Sequence, residues 1–447
     1  MIEYRNLRIA LLGAGSVGSQ VARLLLENRD ELAARVGAGL DLIGVAVRDI
    51  DAPRDTAIPR ELLTTDASTL IQSADIVIEL MGGIEPARQY IQLAIASGAD
   101  VVTGNKALLA THGPELFDAA DRVGAQLYYE AAAGGAIPII RPLRDSLAGD
   151  RVDRVMGIVN GTTNFILDRM DVEGDTFENA LAVATELGYA EADPTADVEG
   201  FDAAQKAAIL ASLAFHTAVP VESVHREGMT TVTAAQIDSA QKAGYVVKLL
   251  AICERLVDPE TGIEGVVARV HPALISRMHP LAAVHGAKNA VFVQAEAAGD
   301  LMFYGAGAGG VETASAVLGD LVSAARRHVA GGPGTGESTH ANLPILGIGA
   351  VITRYQLTLI VTDKPGVLAQ IAGLFSEHGV SVEAVQQTVA TASAAGSASE
   401  SDALTATLVI VTHEATEAAL AATVAAVSAN DAVVRVESVL RVEGETP

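Results

Sequence analysis

The chain has 447 residues, a length that corresponds to two or three domains. Half of the residues are hydrophobic and 19% are charged, enough apolar content for sizeable cores and too much for a disordered chain. The net charge of −25, from 30 Lys and Arg against 55 Asp and Glu, argues against nucleic acid or an anionic membrane as a partner.

No apolar run reaches the roughly 18 residues of a membrane span. The first residues lack a signal-peptide layout, because the apolar run Leu7–Leu12 ends in a glycine loop. A cytoplasmic protein is expected. The single cysteine, Cys253, cannot form a disulfide within the chain, and its apolar neighbours point to a buried, inert thiol.

In chain order, Leu7–Leu12 reads as a strand, followed by Gly13-Ala14-Gly15-Ser16-Val17-Gly18 and a helical pattern over residues 21–35. This is G-x-G-x-x-G between a strand and a helix. Its glycines allow a tight turn and close approach to a pyrophosphate, whose charge the helix N-terminus stabilises. A second strand, Leu42–Val47, ends at Arg48 and Asp49. An acid there suits the free ribose hydroxyl of NAD, and an arginine suits the phosphate of NADP. Both are present; Arg48 comes first, which favours NADP. Strands at Ala74–Leu80 and Asp100–Thr103 alternate with helices over 87–98 and 111–124. Such alternation predicts a Rossmann-type, doubly wound parallel sheet, with ligands at the carboxyl ends of its strands. Lys106 lies at that edge.

The alternation stops near Arg141. Val152–Ile158 reads as a strand, Asn160–Asn164 as a polar loop and 165–170 as helical. Residues 184–206 (ATELGYAEADPTADVEGFDAAQK) form an acid-rich loop running into a helix. Asp202 and Lys206, four apart, share a helix face. Further strands are expected at Gly265–Arg269 and Ala290–Ala295. His271, His279 and His285 fit no common zinc spacing and read as structural. Gly305–Gly310 is a second glycine-rich loop before a helix. Residues 330–342 read as a linker, and 393–402 as a mobile hairpin loop. The tail has the order β-α-β-β-α-β, a ferredoxin-like module with no cluster of catalytic groups, which favours regulation over chemistry. The expected division is 1–135 (with 305–330 returning to it), 136–304, a linker at 331–353, and 354–442.

With Ala184, Gly188, Asp193-Pro194, Asp197, Gly200, Asp202 and Lys206 in place, the chain resembles the homoserine dehydrogenase family over nearly its whole length. The blocks GTTNFIL, VVTGNK and YYEAAAGGAIPII are similar to family blocks. The tail resembles an ACT domain, with Asp363-Lys364-Pro365-Gly366 as its first turn. The resemblance implies an α+β catalytic and dimerisation domain between the nucleotide-binding and ACT domains. It implies interconversion of L-homoserine and L-aspartate 4-semialdehyde with NADP, or NAD, in threonine, methionine and isoleucine biosynthesis. An amino-acid effector such as threonine at the ACT domain and a homodimer or homotetramer are implied as well. Lys206 matches the family's proton donor and acceptor, and Lys106 a lysine against nicotinamide and substrate. Glu191 and Asp202 match acids that hold homoserine, with Thr162, Tyr189 and Asp197 beside them. Gly13, Gly15, Ser16, Val17, Gly18, Arg48, Thr103, Gly188 and Gly309 are the expected cofactor positions. Glu130 with the carbonyls of Ala133, Gly135 and Ile137 matches a sodium site, since hard oxygen ligands suit a small cation.

The residues by themselves leave open a regulator without turnover and a dehydrogenase of another small amino or hydroxy acid. Two lysines are what binding alone does not require. Asp202 is expected to face the homoserine end and Lys206 the reacting oxygen. Removing residues from about 345 onward is expected to leave activity and abolish the effector response. On length, no fused aspartokinase segment is expected.

Overall fold

The computed structural model describes residues 5–54, 56–331, 339–389 and 405–444. Its first unit comprises β1 (Leu7–Leu12), α1 (Ser16–Glu27), α2 (Arg29–Val36), β2 (Leu40–Ala46), β3 (Leu63–Thr64), α3 (Ala67–Gln72), β4 (Ile76–Glu79), α4 (Ala87–Ala96), β5 (Asp100–Thr103), α5 (Lys106–Val123) and β6 (Leu127–Tyr128). All strand pairs are parallel, in the order β3-β2-β1-β4-β5-β6. Helices cover both faces, so Ile9, Leu11, Ile76, Ile78 and Val101 are buried. The strand order reverses between β1 and β4, which opens the ligand crevice at their carboxyl ends. The single helix expected over 21–35 is two. Asn28 leaves helical geometry, and Asp30 and Glu31 supply a favourable acidic first turn to α2.

The middle unit contains α6 (Glu130–Gly134), β7 (Val152–Ile158), α7 (Gly161–Val172), α8 (Phe177–Glu186), α9 (Thr195–Val198), α10 (Phe201–Phe215), β8 (His225–Arg226), α11 (Ala234–Lys242), β9 (Tyr245–Val257), β10 (Glu264–Ser276), β11 (Lys288–Ala295) and β12 (Gly299–Ala306). Three strands absent from the sequence reading, the short β8 together with β9 and β12, belong here, and β10 runs well past Arg269. The polar stretch 160–164 is no loop. Asn160 caps α7, its Oδ1 accepting the Thr163 N–H at 2.9 Å. α10 is buried on nearly every side, and its alanines at 203, 204, 207, 208, 211 and 214 let β9, β10 and α5 approach closely. α12 (Gly310–Ala330) then crosses back, and Ala314, Val317 and Leu321 share a core with Ile9, Val21 and Leu25.

The last unit is β13 (Ile352–Thr362), α13 (Val367–Glu377), β14 (Val382–Val389), β15 (Thr405–Thr412), β16 (Ala415–Thr416), α14 (Glu417–Ser428) and β17 (Val433–Glu443), the expected β-α-β-β-α-β order apart from the short β16. Its sheet is not separate. β17 pairs in parallel with β10, Leu274 opposite Val442, and the described strands form one sheet in the order β12-β11-β7-β9-β10-β17-β13-β15-β14. Buried Glu443 accepts hydrogen bonds from Arg154 and from the fully buried Arg269, which also pairs with Glu254.

That seam bears on the expectation that cutting near 345 leaves an intact dehydrogenase. The cut takes Glu443 from the unexposed Arg269, leaving it Glu254, and opens an edge along β10. The expected linker is also partly structured, because Val266 exchanges backbone hydrogen bonds with Pro344 and Leu346. Residues 332–338 and the hairpin loop at 393–402 lie outside the described residues. Among the described residues, no helix is long and apolar enough to cross a membrane.

Candidate active site

The turn between β1 and α1 is shaped by what its glycines exclude. A Cβ at Gly13 (φ +96°) would stand 2.6 Å from the Leu80 carbonyl oxygen, and one at Gly18 2.2 Å from that of Gly13. Gly15 has nothing within 4 Å. So Gly13 and Gly18 close the turn, and Gly15 leaves its outer side open to a ligand. α1 has no side-chain cap and no acid in its first turn, where Ser16 and Val17 lie. Its N–H groups therefore suit an anion. The second glycine-rich loop abuts the first: a Cβ at Gly310 would lie 3.0 Å from the Ser16 carbonyl oxygen, and Gly309 has φ +135°. These features fit a dinucleotide. Beyond β2, Arg48 and Asp49 are both exposed, and Asp49 Oδ1 accepts the Asp51 N–H at 2.9 Å.

Thr103, at the end of β5, is fully buried. Its hydroxyl donates to Glu79 Oε2 at 2.7 Å and accepts the Asn105 N–H at 3.0 Å. Asn105 in turn caps α5, whose first residue is Lys106. Glu79 and Asn105 escaped the sequence reading. A lone carboxylate closing an apolar strand (IVIE) was the available signal for Glu79.

Lys106 and Lys206 converge on one carboxylate. Asp202 Oδ1 lies 3.0 Å from Lys106 Nζ, and Oδ2 accepts from Lys206 Nζ at 2.8 Å. Lys206 Nζ also donates to the Val159 carbonyl at 2.6 Å. Asp202 and Lys206 are buried, while the Lys106 side chain is 42% exposed and faces the crevice. Asp202 and Lys206 are each other's partners. The four-residue spacing makes the pair, and burial keeps it from being a surface ion pair. Burial pushes the Asp202 carboxyl up, but the charges of Lys206 and Lys106, with hydrogen bonds from Lys206 and Asn160, hold it well below the usual carboxylate range.

Asp197 belongs to the same cluster, its Oδ1 accepting from Asn160 Nδ2 at 2.7 Å. Burial, aided by the charge of Asp202, pushes its carboxyl upward against the Asn160 hydrogen bond and Lys206. Thr162 donates its hydroxyl to the Tyr189 carbonyl at 2.7 Å, and the Tyr189 ring packs on Phe165. Gly188, in left-handed geometry (φ +76°), turns the chain between α8 and Tyr189. Glu191 is exposed on this loop, outside the hydrogen-bonded cluster.

Glu130 does not present free carboxylate oxygens. Oε1 accepts the N–H groups of Ile139 and Ile140, and Oε2 those of Arg141 backbone and Nε. That set does not fit a carboxylate ligand. The neighbouring carbonyls fit better, because Gly135 takes an unusual turn (φ 61°, ψ −108°) between Ala133 and Ile137. Among the described residues, no group of three His, Cys, Asp or Glu is arranged to hold a metal ion. His271 is fully buried, and burial pulls its imidazole down to about 3, in keeping with a structural role. Burial pushes the Cys253 thiol up to about 12, which leaves it inert.

Comparison with known proteins adds to this geometry. The family model described as "Homoserine dehydrogenase" matches residues 138–322, that described as "Homoserine dehydrogenase, NAD binding domain" matches 13–130, and an ACT domain model matches 355–429. A homoserine dehydrogenase of Corynebacterium glutamicum is 54% identical over 97% of this chain and 95% of its own. One of Mycobacterium tuberculosis strain H37Rv is 54% identical over 99% of each chain. Among solved structures, a homoserine dehydrogenase from Thiobacillus denitrificans superimposes with a TM-score of 0.88 at 37% identity, covering 99% of both chains. A hyperthermophilic archaeal homoserine dehydrogenase in complex with NADPH matches 73% of this chain and 99% of its own, with a TM-score of 0.59 and 27% identity.

Proposed function

Because this chain belongs to the homoserine dehydrogenase family of NAD(P)-dependent oxidoreductases, we propose that Lys206, Lys106 and Asp202 carry out its interconversion of L-homoserine and L-aspartate 4-semialdehyde. The observation that carries the assignment is the Asp202 carboxylate joining both lysines at the crevice. When bound, the nicotinamide accepts or supplies the hydride. The chain must orient the carbon that reacts and handle one proton at its oxygen.

Lys206 has two partners, Val159 and Asp202, and a third N–H that can reach the reacting oxygen. Lys106, half-exposed at the edge of the nucleotide-binding sheet, adds positive charge where that oxygen becomes anionic. Asp202 and Asp197 offer carboxylates to the substrate's ammonium, Thr162 and Tyr189 shape the wall, and Glu191 closes in from the loop once substrate is present. Gly13, Gly15, Ser16, Val17, Gly18, Thr103, Gly188 and Gly309 bound the cofactor. Arg48 favours NADP. The archaeal relative's complex with NADPH supports that preference.

A monovalent cation, Na+, would be held by the carbonyls of Ala133, Gly135 and Ile137, with the Glu130 carboxylate orienting the adjoining backbone rather than binding it. Regulation falls to the ACT domain, where a cavity of about 370 Å³ at the Asp363–Gly366 turn, reached by Gln387, suits a small amino acid such as threonine. β14 is last in the order of the described sheet, and an edge strand of this kind supports assembly as a homodimer or homotetramer. The setting is cytoplasmic threonine, methionine and isoleucine biosynthesis. Steady-state absorbance of the nicotinamide with homoserine, comparing NADP with NAD and with or without threonine, tests the whole reading. Intact cofactor binding with no homoserine oxidation at any pH would defeat it.

A further inference from the structure

The β7–α7 turn holds both members of the buried pair. Its Val159 carbonyl takes one N–H of Lys206, and the next side chain, Asn160, takes Asp202. Asn160 is 6% exposed, and its hydrogen-bonding capacity is largely committed. Oδ1 accepts the Thr163 N–H at 2.9 Å, which dictates the orientation of the amide. Nδ2 is thereby aimed at two carboxylates, Asp197 Oδ1 at 2.7 Å and Asp202 Oδ2 at 2.9 Å.

Capping α7 does not require an asparagine, since Ser, Thr or Asp caps a helix about as well. What asparagine adds is a pair of donors on the far side of the same group. Those donors face an arrangement that otherwise rests on mobile charges. Asp202 is held by Lys106 from α5 and Lys206 from α10, and Asp197 by neither directly. A lysine that also meets the reacting oxygen shares its charge between that oxygen and Asp202. The Asn160 bonds are anchored independently of the lysines, because the helix cap fixes their origin.

Resting on the proposed roles of Lys206 and Asp202, we infer that Asn160 is a positioning residue of the reaction, bridging Asp197 and Asp202 and keeping both carboxylates in place while the lysines turn to substrate. Asn160 touches no reacting atom in this role. It acts through Asp202 and Asp197, and the charged groups facing them are Lys106, Lys206 and each other.

The test uses the full chain with Asn160→Ser, which keeps the cap and loses the donors, and Asn160→Asp, which keeps the cap and adds a like charge. Losing hydrogen bonds to an ionised carboxylate should lower kcat with homoserine by about tenfold or more, with NADPH Kd and Tm close to wild type. Hydrogen bonds to the ionised form lower a carboxyl pKa, so their loss raises it. The acidic limb of the kcat/KM profile, carried by Asp197, whose carboxyl burial already pushes upward, should therefore move up by about one pH unit in the Ser variant, and further in the Asp variant. An unmoved acidic limb in both variants overturns the inference, whether kcat is unchanged or falls in step with Tm as loss of a cap alone would produce. Wild-type turnover of homoserine is the control that separates these results from a failure of the proposed function.

Discussion

Lys106 and Asp202 are 3.0 Å apart, although one opens the helix leaving the nucleotide-binding sheet and the other lies in the first turn of the helix buried under the catalytic sheet. The contact ties the nucleotide-binding sheet to the helix buried under the second sheet, at the site proposed for the reaction. It also brings a second cation to an acid already paired with Lys206.

Lys206→Ala should lower kcat by about 10²–10⁴-fold, the range for removing a positioned acid–base group. Cofactor affinity should stay nearly unchanged, because Lys206 contacts Val159 and Asp202 rather than the β1–α1 turn. Steady-state kinetics with a fluorescence titration of NADPH measures both. Wild-type turnover in the variant refutes the assignment.

Arg48 is exposed just past β2, while Asp49 is partly engaged in its own turn. Arg48→Ala should reduce kcat/KM for NADP by about tenfold, roughly one charge-assisted hydrogen bond to phosphate, and leave that for NAD within about twofold. An equal loss with both cofactors would remove Arg48 from cofactor discrimination.

The seam between β10 and β17 separates two experiments that the sequence alone treats as one. Truncation after residue 344 should destabilise the remainder by about 1–3 kcal/mol, because the buried Arg269 loses one of its two carboxylates, Glu443, and keeps Glu254. Thermal unfolding of the truncated chain checks this, and an unchanged Tm refutes it. Asp363→Ala should instead abolish the proposed threonine response with basal turnover and Tm intact. Persistent inhibition in that variant would move the effector elsewhere.

Lys248 gives a pH prediction of known sign. It is fully buried on β9, with Nζ donating to Asn164 Oδ1 at 2.9 Å and the Val284 carbonyl at 2.7 Å, and burial pulls its ammonium down to about 8. Between about pH 8 and the ordinary value of 10.5 the unfolded chain keeps this proton and the folded chain does not. The unfolded state then binds more protons, so this group makes stability rise with pH across that window, by up to about 3 kcal/mol in total. Chemical denaturation at several pH values should show a flatter dependence for Lys248→Met than for wild type. Parallel curves would contradict it.

Local pattern carried much of this molecule. Short strand-like runs placed β1, β5 and β7 at their observed bounds, the first two closed by glycine, and G-x-G-x-x-G between strand and helix marked the nucleotide turn. These features depend on residues adjacent in the chain. β9 was not legible as a strand, because a long apolar run has no alternation when both faces are buried. Asn160–Asn164 read as a loop because a polar helix start is distinguished from a turn only by where its N–H groups go.

What the sequence by itself determined is the set of reactive groups and the spacing that lets Asp202 reach Lys206, since one helical turn returns the chain to the same face. Only the tertiary structure decided that this pair is buried, that Lys106 joins it across a domain boundary, and that Asn160 spans two acids from a helix cap. It also joined the regulatory sheet to the catalytic one through Glu443 and Arg269. The physical reason is the same in each case. Burial and long-range pairing depend on which surfaces meet, and no local periodicity records that.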